Sequence, residues 1–567
     1  VLVSDGRLDD PAELETALQR LRASAITVHT VAVGDQRPGV DLGISAVTLP
    51  DSVLKDATVT ARVTLSQRGL AGREIELVVE EDSTIVAQRT LNLPQDDRQP
   101  TVDIPLTFTV PGPRRLDFRV GVAAEESLTD NNRLTRLVRV RGDPLQVLHI
   151  EGEPRFEVRF LRRAVADDDA IRLASLVRTA EQKYYRLGIT GPQELARGLP
   201  IDEAQLFPFE VLVLGSADAT LVDNSQQRLI QDFVARRGGG LLLLGGSGAL
   251  AEGGFGGTPL ADLLPVVLEE PQQDYRVQVP IRPTEEGRHD PLLQAALPLA
   301  PREIEALPAL TVVNPLRRAK PGARVLLEAD DGTAAPLIVL AYQRYGRGAV
   351  ATLAVRNTWR WQMQLPLADQ THETLWRALL RGLGERVAKP IEVSLSPTSA
   401  VPGESVTVTA EVLDAGFRPL DGGNPTLTVT TPLGEMETLP LKAVPSVIGR
   451  YRAGFTATQN GRYDLRVAQG QAQEAQQTEA YLWVDSAGAE FRNPAVAVEL
   501  LARIARTTGG RILHPEEITQ LPELLESTRT TRTVIRRLEL WDAPLFLVAL
   551  LSLIGYQWFY RRQCALA

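Results

Sequence analysis

Hydrophobic and polar positions change rhythm several times along these 567 residues, and each change marks an element or a domain. The run LLLL at 241–244 lies between glycine clusters, RGGG before it and GGSG after it. Four leucines so bounded predict a strand buried on both faces, as in a parallel sheet covered by helices. LQVLHI at 145–150 and VLVL at 211–214 read as its partners, with helices expected at 156–165 and 226–236. AVATLAV at 349–355 reads as a late strand, and 371–383 as a closing helix. In open sheets of this kind ligands gather beyond the carboxyl ends of the strands, so the loop 245–257 is where chemistry is expected.

Period-two alternation takes over on either side of that region. TVTARVTL, EIELVVEE, TVDIPLTFTV, RLDFRVGV and RLTRLVRV fill 44–140. SVTVTAEVLD, TLTVTTP, GRYRAGFTAT, GRYDLRVA and AYLWVD fill 391–485. Short alternating strands separated by Gly, Pro, Asn and Asp clusters predict two β-sandwiches. The two ends differ again. VLVSDG at 1–6, an amphipathic stretch 11–22 with Leu14, Leu18 and Leu21 on one face, and ITVHTVAV at 26–33 predict strand, helix, strand. Near the other end 487–538 reads as helical, with an amphipathic stretch 495–507 stopped by Thr508-Gly509-Gly510. The uncharged run APLFLVALLSLIGYQWFY at 543–560 has the length of a membrane helix, with Asp542 and Pro544 at its start and Trp541, Tyr556, Trp558 and Tyr560 at belt positions.

Composition narrows the chemistry. The net charge of −10, with acids and bases interspersed, provides no basic field for nucleic acid. The one cysteine, Cys564, lies in the last four residues. An intramolecular disulfide framework, a cysteine-ligated zinc site and a cysteine nucleophile in a globular domain are thereby excluded. Because Val1 already sits in a strand-like run, the sequence reads as a fragment whose natural N-terminus is missing.

Three resemblances follow from these residues. Residues 1–40 resemble the C-terminal part of a von Willebrand factor type A domain. Asp5 matches the aspartate of an Asp-Gly pair that helps form that family's metal-ion-dependent adhesion site; the other ligands belong to earlier strands. The resemblance implies Mg²⁺ at Asp5 only where a preceding segment completes the site, and a lone Asp-Gly also reads as a turn. Residues 41–142, closing on Asp130-Asn131-Asn132, resemble the CARDB type of immunoglobulin-like module, and 390–486 is read as a second sandwich of that kind. Residues 143–389 resemble the class I glutamine amidotransferase-like superfamily, in the form found in bacterial membrane proteins that also carry type A domains. Glu151-Gly-x-Pro-Arg155, Phe160-Leu-Arg-Arg163, the LLLLGG loop, Tyr345-Gly-Arg-Gly348 and Trp359-Arg-Trp361 with His372 and Trp376 carry this likeness. The expected fold class is therefore multidomain α/β plus all-β: a partial type A domain, two immunoglobulin-like sandwiches, a flavodoxin-like amidotransferase-type domain, a helical juxtamembrane segment at 487–538 and a transmembrane helix at 541–560.

An active amidotransferase resembling this one needs a cysteine at the elbow after the central strand and a late His-x-Glu pair. Here Ser247 stands nearest the nucleophile position, in GGSGA, and the only His-x-Glu is His149-x-Glu151, which precedes the elbow. His289 stands before an Asp-Pro turn, and His372 opens the closing helix. The expectation is lost chemistry and a non-enzymatic interaction or scaffold protein. The alternatives are a hydrolase using Ser247, or an anion sensor in which amides of Gly246, Ser247 and Gly248 precede a helix beside Glu151 and Arg155. Glu151 and Arg155 equally suit an internal ion pair; Trp359 and Trp361, if extended, point to opposite sides, and core packing is the default for both. The glycine run 253–257 is no Walker loop, for no Gly-Lys-Ser/Thr follows.

Partners expected on this reading are the membrane, through the C-terminal helix, and unidentified proteins; the resemblance implies a MoxR-type AAA+ ATPase among them. Arg561 and Arg562 favour a short cytoplasmic tail, although Arg529, Arg532, Arg536 and Arg537 outnumber them upstream. A long domain crosses largely regardless of local charge, so the body is expected outside the cytoplasm of a bacterium.

Overall fold

The computed structural model describes all residues except 7–10, 25, 35–39, 96–98, 123–125, 127–128, 271–274, 386, 471–475, 486–495, 528–543 and 565–567. The chain is mixed α/β and β-rich, and it divides into two units, 1–38 with 494–567, and 39–493.

The first unit joins the two ends of the sequence. Leu2–Ser4 pairs in parallel with Thr30–Ala32, and Thr30–Ala32 pairs in parallel with Ile512–Leu513. Helix Pro11–Ala23 links the first two strands, and helix Val498–Thr508 precedes the third. Leu501, fully buried, packs with Ala32 and Val496, and the Thr30 hydroxyl donates to the Leu501 carbonyl at 3.1 Å. Gly509 ends the helix at φ +76°, and Gly510 lies so close to the Val28 carbonyl that a Cβ would collide with it. The Thr-Gly-Gly stop is thus where the sequence placed it. The juxtamembrane reading of 487–538 is corrected in its described part: Val498–Thr508 and Ile512–Leu513 complete the unit begun by Leu2–Ser4.

The transmembrane helix is also corrected. Pro544–Gln563 is helical, but no helix among the described residues is long and apolar enough to cross a membrane. Its apolar run, 545–555, spans about 16 Å at 1.5 Å per residue, roughly half of a bilayer core. Beyond it Gln557, Arg561 and Arg562 interrupt the pattern. The localisation read from it, a bacterial membrane held through a single C-terminal span with a short cytoplasmic tail, is corrected with that span. Trp541, Asp542, Arg529, Arg532, Arg536 and Arg537 lie outside the described residues.

The second unit is built around a nine-stranded sheet. Its centre is five parallel strands in spatial order Ile171–Ala180, Leu145–Glu151, Val211–Gly215, Gly240–Leu244, Gly348–Leu353. In chain order this is 2-1-3-4-5, a doubly wound arrangement. Antiparallel strands Lys183–Leu187 at one edge and Leu337–Tyr345, Arg324–Ala329 and Ile281–Pro283 at the other extend it. The four leucines alternate between two cores: Leu242 and Leu244 pack with Leu161, Leu375 and Trp376, Leu241 and Leu243 with Ile230, Phe233 and Val234. Those partners belong to helices Phe156–Ala164 and Thr371–Gly384 on one face and Asn224–Ala235 on the other. The last is held at its start by a capping box from Asp223 and Gln226.

Two pairs of antiparallel sheets complete this unit. Asp41–Thr48, Thr58–Arg68 and Thr101–Thr107 share a core with a five-stranded sheet that includes Glu74–Glu81, Gly112–Val120 and Arg133–Arg141. Ile391–Ser396, Glu404–Val412 and Arg450–Ala457 do the same with Thr426–Thr430, Gly461–Gln469 and Gln476–Val484. Thr58–Arg68 buries every second residue, as the alternation required.

Candidate functional site

In a 2-1-3-4-5 sheet the topological switch point lies between strands 1 and 3, here at the ends of Leu145–Glu151 and Val211–Gly215. The chain's own side chains fill it. Glu151 is fully buried, with its Oε1 3.0 Å from Arg155 Nε and its Oε2 3.2 Å from His149 Nε2. Arg155 Nη1 donates to the Gly245 carbonyl at 3.0 Å, so one guanidinium ties the first strand end to the fourth. Gly152 admits no side chain, since a Cβ there would collide with the Ser216 carbonyl. Ser216 itself is buried at φ +39°, and its hydroxyl has no hydrogen-bond partner. Glu151 and Arg155 thus form the internal pair that was one of their two readings.

The glycine loop differs from the elbow that the amidotransferase resemblance implies. No helix follows Gly240–Leu244 directly; turns run as far as the five-residue helix Pro259–Leu263. The Gly246 amide donates to Asn314 Oδ1 at 2.9 Å, and Asn314 Nδ2 donates back to the Ala249 carbonyl at 3.2 Å. The anion cradle of Gly246, Ser247 and Gly248 at a helix start is therefore corrected: there is no helix start, and the first amide is occupied. Ser247 is half-buried, and its hydroxyl accepts from Arg356 Nη1 at 2.9 Å. No described histidine or carboxylate hydrogen-bonds to it, so the base of a serine nucleophile is not at hand.

Trp359-Arg360-Trp361 is helical, within Trp359–Gln364, so the condition of an extended segment is not met. Trp361 is fully buried and donates from Nε1 to the Pro308 carbonyl at 2.8 Å. Trp359 is half-buried, its ring 5.9 Å from Phe160 in a stacked arrangement and 5.5 Å from Phe156. Below them runs a buried relay. Trp376 Nε1 donates to Thr358 Oγ1 at 3.0 Å and to His372 Nε2 at 3.1 Å, and the Thr358 hydroxyl donates to Glu157. Burial pushes the Glu157 carboxyl up to about 7 and the His372 imidazole down to about 4. His372 is thus neutral at neutral pH, with its proton on Nδ1 because Nε2 accepts from Trp376, and Glu157 is about half protonated there.

Beside these residues, still beyond the strand ends, a cavity of about 670 Å³ opens. Arg155, Arg159, Arg276 and Arg356 line it, with Phe156 and Trp359. Of these, sequence reasoning had singled out Arg155 and Trp359. Arg356 directly follows the fifth parallel strand, so the rule that selected 245–257 also points to it. Glu157 carries no such signal, because its burial is a property of the packed helix.

Asp5 follows the exposed end of Leu2–Ser4, where its carbonyl accepts from the Ala497 amide at 2.8 Å. Among the described residues no group of three or more His, Cys, Asp or Glu side chains is gathered as for a metal ion, so these residues do not by themselves make an Mg²⁺ site.

No protein-family description matches the chain, and no curated protein matches it. Among solved structures it is similar to the CARDB domain of a Pyrococcus furiosus protein solved in complex with di-metal ions, at 21% identity over 18% of this chain and 89% of that one, TM-score 0.16. It is similar to the filamin domain of Lin-41 at 15% identity, over 18% of this chain and 95% of that one, TM-score 0.14. A cold-adapted β-galactosidase from Rahnella sp. R3 matches at 16% identity, over 55% of this chain and 41% of that one, TM-score 0.26.

Proposed function

We propose that the chain is a non-enzymatic interaction protein, in which a degenerate amidotransferase-like α/β domain holds two immunoglobulin-like sandwiches, and a type A-like unit provides a further binding module. The observation that carries this reading is the environment of Ser247. The residue nearest the nucleophile position accepts a hydrogen bond from Arg356, and no described base hydrogen-bonds to it. His149 and His372 are occupied elsewhere, the first with Glu151 and the second with Trp376. A hydroxyl without a base is a weak nucleophile. The sandwiches and the type A-like unit supply surface for partners, a MoxR-type ATPase among them.

A fluorophosphonate probe tests the catalytic half of the reading. The full chain is expected to remain unlabelled, as is Ser247→Ala; stoichiometric labelling that disappears in Ser247→Ala would overturn it. The interaction half predicts that the immobilised full chain retains a saturable protein partner from lysate of its own source, with and without Mg²⁺. Recovery of none would refute that half.

A further inference from the structure

The cavity of about 670 Å³ beyond the strand ends is unusual in its charge. Four arginines line it, and Glu157 is the only carboxyl among its lining residues. Arg155 is paired with Glu151, but Arg159, Arg276 and Arg356 form no ion pair with a described carboxylate, in a chain where many arginines do. Arg356 spends one N–H on Ser247 and keeps the rest of its donors. Guanidinium groups that share one cavity without a described carboxylate partner repel each other, and an oxyanion is the group that relieves this, through bidentate hydrogen bonds.

The second observation is apolar. Phe156 is 62% exposed at the start of a helix whose other face, Glu157, Val158, Phe160 and Leu161, is buried, and with Trp359 it walls the same cavity. Exposed aromatic faces beside cationic donors suit a ligand with a flat ring. The volume lies within the range of small-molecule sites. The helical offset from Arg155 and Phe156 to Arg159 places charge and ring on one side of one helix start.

We infer that this cavity is a binding site for a small, ring-bearing polyanion, one that carries two or more phosphoryl or carboxylate charges beside a flat ring. Arg159, Arg276 and Arg356 take the charges, and Phe156 with Trp359 takes the ring. This site adjoins the glycine loop through the Arg356–Ser247 hydrogen bond but uses none of the loop's amides and needs no catalysis by Ser247, so it holds whether or not the scaffold reading does. Burial pushes the Glu157 carboxyl that lines the cavity up to about 7, so it opposes an anion less than an ordinary carboxylate would.

Titration calorimetry on the full chain in low salt tests it, with ADP and benzene-1,3,5-tricarboxylate as ring-bearing polyanions, pyrophosphate as a ringless anion and adenosine as an uncharged ring. Saturable binding of ADP or of the tricarboxylate is expected, tenfold or more weaker in Arg159→Ala with Arg276→Ala. Which of the two binds tells phosphoryl from carboxylate. Phe156→Ala should weaken the ring-bearing probe about threefold and leave pyrophosphate unchanged, and adenosine should not bind. All three substituted side chains are exposed, so the variants are expected to fold, and their thermal unfolding checks it. Absence of saturable binding by both polyanions, or binding indifferent to the arginine substitutions, would overturn the site. Pyrophosphate binding as tightly as the better ring-bearing probe would overturn the role of the ring.

Discussion

Glu157 and His372 lie on either side of Thr358 and Trp376, and burial moves them in opposite directions. Glu157 has an ordinary value of 4.5 and a folded value of about 7. Its contribution to stability is complete below about 4.5 and is lost as the pH rises through 7. His372 goes from 6.5 to about 4, so its contribution is complete above 6.5 and is lost as the pH falls through 4. The two slopes oppose each other over nearly the same window, each worth up to about 3 kcal/mol. Glu157→Gln is therefore expected to make the chain more acid-sensitive than the parent between pH 6.5 and 4. His372→Gln, which keeps an acceptor for Trp376, is expected to make it lose stability between pH 4.5 and 7. Urea unfolding across that range measures both, and profiles parallel to the parent's would refute the coupling. At this scale the sequence is a poor guide: His372 was legible only as a helix-opening residue, and nothing marked Glu157 among the acids, because both shifts arise from neighbours distant in the chain.

Elements were more legible. The run 241–244 predicted a strand covered on both faces, and Leu241 to Leu244 indeed alternate between two cores. Leu243→Ala is expected to cost about 3 kcal/mol through the cavity it leaves, read as a lower urea midpoint with an unchanged slope. A loss below about 1 kcal/mol would mean that the helical layer over that face collapses into the gap. The helices expected at 156–165, 226–236 and 371–383 each lie within two residues of those observed. What failed was the element expected after the central strand. Glycines at 245, 246 and 248 were read as the elbow into a helix, whereas Asn314 from a distant loop takes the Gly246 amide and the chain continues in turns. Trp359-Arg-Trp361 left its conformation open, because a three-residue pattern does not distinguish one helical turn from an extended segment; Trp361 packs in the core, its default.

At the scale of the molecule, the two ends of the chain belong to one unit. A strand of two residues, Ile512–Leu513, has no periodicity to be recognised by, yet it is the third strand beside Thr30–Ala32. Removal of 498–513 is expected to strip amide-exchange protection from Val31 and Ala32, while Leu241 to Leu244 in the other unit keep theirs. Protection that persists at Val31 would refute the shared unit.

The sequence by itself determined the alternation of α/β and β-rich regions, the doubly covered LLLL strand, the glycine stop at Gly509-Gly510 and the exclusion of a cysteine nucleophile. Those properties are local: period, caps and residue type act within a few turns of chain. Only the tertiary structure decided that the switch point is filled by Glu151 and Arg155, that arginines without a described carboxylate partner meet in one cavity from three segments, and that 498–513 completes the unit begun by 2–32. The Glu151–Arg155 pair spans only four positions, but its tie to the Gly245 carbonyl and the Thr30–Leu501 contact join residues 90 to more than 400 positions apart, and no local pattern records such a pairing.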